Sequence, residues 1–150
     1  MGLFQGFDIA ATGMTAQQFR MDTISENIAN VSTTRTEDGG PYTRQVVRFE
    51  EKETRTQFGH VLSHAKAKAT KFTGNGVKVA EVYDDTETDY IMEYDPSHPD
   101  ADENGYVRYP NVNTVTEMTN LIDASRAYEA NATAFDALKS MAQAGLGIGG

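Results

Sequence analysis

Between Leu3 and Val31, apolar side chains recur at alternating intervals of four and three residues: Leu3, Phe7, Ala10, Met14, Gln17, Met21, Ile24, Ile28 and Val31, with Gln17 the one polar member. This is the spacing of a coiled-coil seam, and a seam needs a partner helix, because one helix alone leaves its stripe in water. A candidate partner stands at the other end of the chain. From about Val115 to Ala144, the positions Leu121, Ala124, Tyr128, Asn131, Phe135, Leu138 and Ala142 repeat the alternation. Asn131 is a polar residue on an apolar seam, a device that fixes register at some cost in stability. Val115, Met118 and Ile122 form a flanking stripe, and Phe19 falls off the first seam. The expectation is an antiparallel pair within one subunit. Period alone also allows each helix to lie on a domain of its own. Gly6 and Gly13 weaken the first helix by ~1 kcal/mol each relative to alanine, and the run Gly145 to Gly150 is expected to stop the second.

The middle of the chain changes character. Residues 35–41 form a loop by every local cue, with Gly39, Gly40 and Pro41 together. Tyr42 to Phe49 reads as a strand, Val77 to Val82 as a second after the Gly74-Asn75-Gly76 turn, and Tyr90 to Tyr94 as a third. Residues 60–72 are ambiguous, with a lean towards extended structure. Pro96, Pro99 and Pro110 punctuate a rigid loop from Asp95 to Asn113. The fold class is therefore α+β: long N- and C-terminal helices pairing as a coiled coil, with a small β-rich or extended middle. The corresponding regions are 1–34, 35–112 and 113–150.

Net charge is −9 over 150 residues, which argues against a nucleic-acid partner or an anionic membrane surface. No run approaches the ~18 apolar residues of a membrane span, so membrane insertion is not expected. The N-terminus lacks the basic and apolar stretches of a cleavable signal peptide. There is no cysteine, which removes disulfides and thiolate metal sites. Charge is polarised: Arg44 to Lys78 holds eight Lys or Arg against three Glu, and Val79 to Val107 holds ten acids and no Lys or Arg. These are either two solvated faces that partly satisfy each other or complementary patches that orient subunits.

Two stretches imitate metal sites. Residues 100–107 begin like a calcium loop, but the twelfth position is Asn111, where a bidentate glutamate is required. A turn at Asn104-Gly105 held between prolines accounts for the pattern. His60 and His64 are four apart, with no acidic third ligand at a defined spacing. No arrangement for nucleophilic or acid–base catalysis stands out, so neither cofactor, metal, small-molecule substrate nor enzymatic activity is expected.

The phrase Asn27-Ile28-Ala29-Asn30, with Thr33 three residues on, resembles the N-terminal signature of bacterial flagellar axial proteins. Asparagine suits a helix end, where it tolerates left-handed dihedrals and bonds open backbone groups. A second, more specific stretch contains Asp95-Pro96-Ser97-His98-Pro99 and Asn104-Gly105-Tyr106. With Ser125 to Asn131 and Thr133 to Phe135 after it, the chain is similar to the proximal rod proteins of the flagellar basal body over about two thirds of its length. The resemblance implies a structural subunit that polymerises through its terminal helices into the periplasmic rod, the drive shaft of flagellar motility. Its interface, within and between subunits, would be carried by Phe7, Met14, Met21, Ile24, Ile28 and Val31 on the first helix. Met118, Leu121, Tyr128, Asn131, Phe135 and Leu138 would carry it on the second. Implied partners are further copies, other proximal and distal rod proteins, and an adaptor at the membrane ring and export gate. Implied too is export through the flagellar type III channel without a cleaved signal peptide. Ordering costs ~1–2 kcal/mol of backbone entropy per residue and each seam has few large side chains, so the free monomer is expected to be largely disordered at both ends and to gain its helices on assembly. The alternative is a soluble helical adaptor or export chaperone that binds a partner helix, which shares the heptads but has no need of the two phrases.

Overall fold

The computed structural model describes residues 3–37, 39–52 and 74–148. Its elements in order are α1 (Leu3–Ala29), β1 (Gln45–Glu51), β2 (Val77–Asp84), β3 (Ile91–Tyr94), β4 (Tyr106–Tyr109) and α2 (Thr114–Ile148). The class is the expected α+β. At 1.5 Å per residue the two helices are ~40 and ~52 Å long. Asn113 starts α2, its Oδ1 accepting the N–H groups of Val115 and Thr116 at 3.0 and 3.1 Å, which satisfies donors that the first turn leaves open.

The helices pair antiparallel, because the contacts run in opposite order along them. Gly6 lies beside Leu138 and Gly13 beside Asn131, and Asn27 reaches Glu117. On its other side α1 carries the antiparallel β1–β2 ribbon, whose register runs from Gln45 opposite Asp84 to Glu51 opposite Val77. Thr12 is the pivot there. Its hydroxyl donates to the Ile9 carbonyl at 2.8 Å and accepts the Val77 N–H at 3.2 Å. Gly76 adopts a φ of +92°, and a Cβ on it would run into that hydroxyl, so the turn requires glycine. Ala16 and Thr23, both buried, complete this face. β3 and β4 form a second antiparallel ribbon, with Ile91 opposite Tyr109 and Tyr94 opposite Tyr106.

Four features differ from expectation, besides shifts of one or two residues at the ends of the other elements. α1 stops at Ala29, so Val31 lies in the turn after it. β1 begins at Gln45 rather than Tyr42, because the preceding backbone bonds elsewhere: Tyr42 N–H to the Thr33 carbonyl and Arg44 N–H to Asn111 Oδ1. Tyr106–Tyr109 is a strand within the stretch read as loop; the flanking prolines bound it without preventing it. α2 continues through Gly145 and Gly147 to Ile148, since glycine lowers helix propensity but does not block the hydrogen-bond ladder as proline does. The ambiguous 60–72 stretch, with His60, His64 and the lysines 66, 68 and 71, lies outside the described residues.

Candidate functional site

Several of the predicted seam positions meet across the helix pair: Phe7 with Phe135, and Leu138 and Asn131 with the glycines of α1. Phe7 meets Phe135 edge to face, ring centroids 4.9 Å apart. Ile24 is buried, as are Ala10 and Ala124. Met14, Met21, Ile28, Val31, Leu121, Tyr128, Asn131, Phe135 and Leu138 are half-buried. The glycines read as weak points in α1 are also sites of close approach. A Cβ on Gly6 would lie 3.1 Å from Leu138 Cδ1, and one on Gly13 would lie 2.7 Å from Asn131 Oδ1. Asn131 donates to the Ala127 carbonyl of its own helix at 2.8 Å, which leaves its Oδ1 turned to that glycine. The Gln17 Oε1 is buried and accepts no hydrogen bond among the described residues. Met118 is 51% exposed. With Val115 and Ile122 it occupies the side of α2 turned away from α1.

At one end of the pair the packing becomes polar. Asn27 is fully buried. Its Nδ2 donates to the Gln45 carbonyl at 2.9 Å and to Glu117 Oε2 at 3.3 Å. Its Oδ1 accepts from the Tyr42 hydroxyl and the Gln45 N–H, each at 2.9 Å. Glu117, 1% exposed, meets Arg44 through Nη2 at 2.8 Å and Nε at 2.9 Å. Arg44 Nη1 reaches on to Asp85 Oδ2 at 3.2 Å. Asn111 closes the cluster. Besides accepting from Arg44, it donates to the carbonyls of Asp85 and Thr88 at 2.7 and 3.1 Å. These residues join the end of α1, the start of β1, the end of β2 and the start of α2.

The electrostatics follow from this packing. Burial, together with the charges of Glu26, Asp84 and Glu117, pushes the Tyr42 phenol up to about 12. Burial works against the Arg44 charge, but its bonds to Glu117 and Asp85 win and hold it above the ordinary guanidinium value. Asp85 moves the other way: partial desolvation is outweighed by hydrogen bonds from Thr88 and Arg44, which keep it below the usual carboxylate range.

The expected helix-end role of Asn27 is therefore corrected. It ties α1 to a strand and to α2, while Asn30 closes the helix by donating to the Glu26 carbonyl at 3.0 Å and accepting from Thr33 Oγ1 at 3.2 Å. Among the described residues only glycines have positive φ, so left-handed asparagine plays no part. Ile28 is half-buried and Ala29 exposed. In the second phrase, Asp95 Oδ1 accepts from the Ser97 N–H at 3.0 Å and its Oγ at 2.6 Å. His98 Nδ1 accepts the Asp100 N–H at 3.1 Å. Pro96 packs beside Gly105, whose φ is +81°, and Pro99 is exposed in the same loop. Asp102 Oδ1 holds the turn through Asn104 and Tyr106, both N–H bonds at 2.9 Å. Thr34 Oγ1 donates to Asp100 Oδ2 at 2.8 Å and so fastens this loop to the end of α1. Of the oxygens that imitate a calcium loop, Asp102 Oδ1 holds the turn and those of Asp100 meet Thr34 and Arg35, while Asn111 is buried in the polar cluster.

Tyr42, Arg44, Asp85 and Glu117 were not among the residues singled out in the sequence, and Asn111 was noted only as the residue that breaks the calcium-loop pattern. Glu117 had a signal. It stands four before Leu121, so it continues the seam upstream, and a carboxylate in an apolar seam calls for a buried partner.

Comparison with known proteins agrees with this geometry. A family described as flagella basal body rod protein matches residues 7–35, and one described as flagellar basal body rod FlgEFG protein C-terminal matches residues 103–148. These spans contain α1 from Phe7 onward with its closing phrase, and β4 with α2. The chain is 46% identical to the flagellar basal-body rod protein FlgC of Borreliella burgdorferi, over 99% of this chain and 98% of that one. It is 39% identical to FlgC of Bacillus subtilis over 99% of each chain. It is 38% identical to FlgC of Escherichia coli O6:H1 over 94% of this chain and 93% of that one. The chain belongs to the FlgC family of flagellar basal-body rod proteins.

Proposed function

We propose that this chain is a structural subunit of the flagellar basal body that polymerises through its terminal helices into the proximal rod. The observation that carries the reading is the antiparallel helix pair, closed at one end by the Asn27–Glu117–Arg44 cluster, with large apolar side chains left outside it. Phe4, Phe19, Val115, Met118, Ile122, Met141 and Leu146 are all exposed on the two helices. A subunit whose own core were its only purpose would not keep so many there. The neighbours in this reading are other rod proteins, with an adaptor at the membrane ring and export gate on the inner side. The chain reaches them through the flagellar type III channel and performs no catalysis.

Genetic complementation tests the reading. In a motile bacterium lacking its own gene of this family, the chain restores basal-body rods and swimming. Replacing Met118 and Ile122 together by glutamate leaves a soluble subunit that neither enters rods nor restores motility. Swimming at the wild-type level with that double variant would remove the outer helix face from assembly.

A further inference from the structure

We infer that copies of this chain bind head to tail, the outward face of the β3–β4 ribbon of one copy receiving the 82–89 segment of the next. The inference rests on the rod reading and names one surface of contact within it.

The register places Met92 opposite Arg108 and Tyr94 opposite Tyr106, so these four share a face. Val107, on the other face, is fully buried. On the outward side Met92, Tyr94 and Tyr106 are 50, 64 and 43% exposed. The two tyrosine rings already lie edge to face, centroids 5.3 Å apart, which makes a stiff apolar platform. A two-stranded ribbon is marginal in water, so a covering partner stabilises it.

Two arginines beside this platform are under-used, although Asp100 and Asp102 line the same cleft. Tyr106 and Arg108 border an open cleft of about 450 Å3 that runs between the 34–41 and 99–102 segments. Arg35 in the same cleft is 73% exposed and makes only a 3.6 Å contact with Asp100. Arg108 forms no ion pair among the described residues. Such a surface selects carboxylates that stand next to apolar groups.

The 82–89 segment has that chemistry. Val82 and Tyr83 are 38 and 45% exposed. Asp84, Glu87 and Asp89 follow, exposed and without an ion pair among the described residues. Asp85 shapes their presentation by accepting the N–H groups of Glu87 and Thr88, each at 3.2 Å. Within one copy Asn111 holds the carbonyls of Asp85 and Thr88, and among the described residues no ion pair joins the two surfaces. A net charge of −9 makes two copies repel in general, so association needs local complementarity of this kind. Contact between two different patches is heterologous, and repeated without closure it generates a helical array.

The full chain carries no cysteine, so single-cysteine variants report the contact directly. Tyr83→Cys mixed with Tyr106→Cys gives a disulfide-linked dimer under mild oxidation, at a rate that falls as salt is raised. Neither variant alone links at that rate. In sedimentation, Arg35→Glu with Arg108→Glu weakens self-association about tenfold, as does Asp84→Lys with Glu87→Lys. All four changes in one chain restore it. These positions are exposed, and unchanged circular dichroism keeps a folding defect from imitating the result. Symmetric links alone, unchanged association in the reversals, or no recovery in the combined chain would overturn the inference. Loss of rod incorporation with unaltered self-association would overturn it too, by giving this face to a different rod protein, and would leave the rod reading intact. Failure of the wild-type chain to restore rods would instead sink the rod reading.

Discussion

Asn27 uses both hydrogens and both lone pairs of its amide, and it does so with no exposure to water. A buried polar group is tolerable only on these terms, because each unmet bond costs ~1–3 kcal/mol. Replacing Asn27 by aspartate removes two donors and sets a second carboxylate against Glu117. The expected loss is about 3 kcal/mol or more, the range seen when a buried charge is left uncompensated. Thermal unfolding of the variant beside Asn27→Ala checks this: the aspartate should be the worse of the two, and a smaller loss than for alanine would refute the cost assigned to the added charge. Tyr42 carries the pH dependence. Its phenol is raised from 10.0 to about 12 in the fold, chiefly by burial. Below pH 10 it is protonated whether the chain is folded or not, and its contribution is fully present. As pH rises through the folded value, the unfolded chain has already lost the proton, so stability falls. Absorbance titration of the phenols should show a step near pH 12 that disappears in Tyr42→Phe. A step that persists in that variant would assign the shift elsewhere.

Elements were legible where a period governs them and illegible where a long-range bond does. The two seams follow from their alternation alone, because the spacing of Phe7, Ile24, Leu121 and Phe135 fits a helix with one covered side. The antiparallel sense is not in the period; it shows in the contacts, Gly6 beside Leu138 and Asn27 at Glu117. Likewise, β1 starts late because Tyr42 and Arg44 bond to Thr33 and Asn111, and no local pattern announces such partners. β4 was hidden for a related reason: Val107 alone is buried on it, so four residues carry too little alternation to stand out from the prolines around them. The glycines were read for propensity, whereas packing decides their role. Gly13→Val should therefore damage the pair more than propensity explains, since its Cβ meets the amide of Asn131, a short side chain already bonded to its own helix. Asn131→Ala in the same chain should recover part of the loss by making room. Additive losses in that double variant, read by thermal unfolding, would show that the two positions do not share space. Gly76→Ala should likewise loosen β2 from α1, because left-handed backbone costs a residue with a Cβ ~1–2 kcal/mol even before it meets Thr12.

Across the whole molecule, burial is graded along the helix pair rather than uniform. Ile24, Asn27, Val107, Pro110, Asn111, Val112, Glu117 and Ala124 are buried, and Asn27, Asn111 and Glu117 among them form the polar cluster that joins helices to strands. Towards the other end the buried residues thin to Ala10 and Ala16, while Phe4, Met141 and Leu146 are 81, 58 and 80% exposed. Fixing a residue costs ~1–2 kcal/mol of backbone entropy, and an exposed leucine or phenylalanine returns little of it. Both helices are expected to gain order on assembly, and this distribution of burial adds a gradient along them. In a dilute monomer, amide exchange should be slowest in Thr23 to Ala29, in β1, and in Glu117 to Ala124. It should quicken steadily towards Leu3 on α1 and Ile148 on α2. On incorporation into rods the outer turns should gain the most protection, because neighbours supply the apolar cover that the subunit lacks. Such a subunit carries its register with it through the Asn27–Glu117 bond and leaves its far end to be ordered by the growing structure. That arrangement favours folding at the site of addition over polymerisation in solution, since the end that must be covered is the one still open. Exchange measured on monomer and assembled rod decides the matter. Uniform protection along both helices of the monomer, or slow exchange at the Phe4–Leu146 end, would show that the pair is complete without its neighbours.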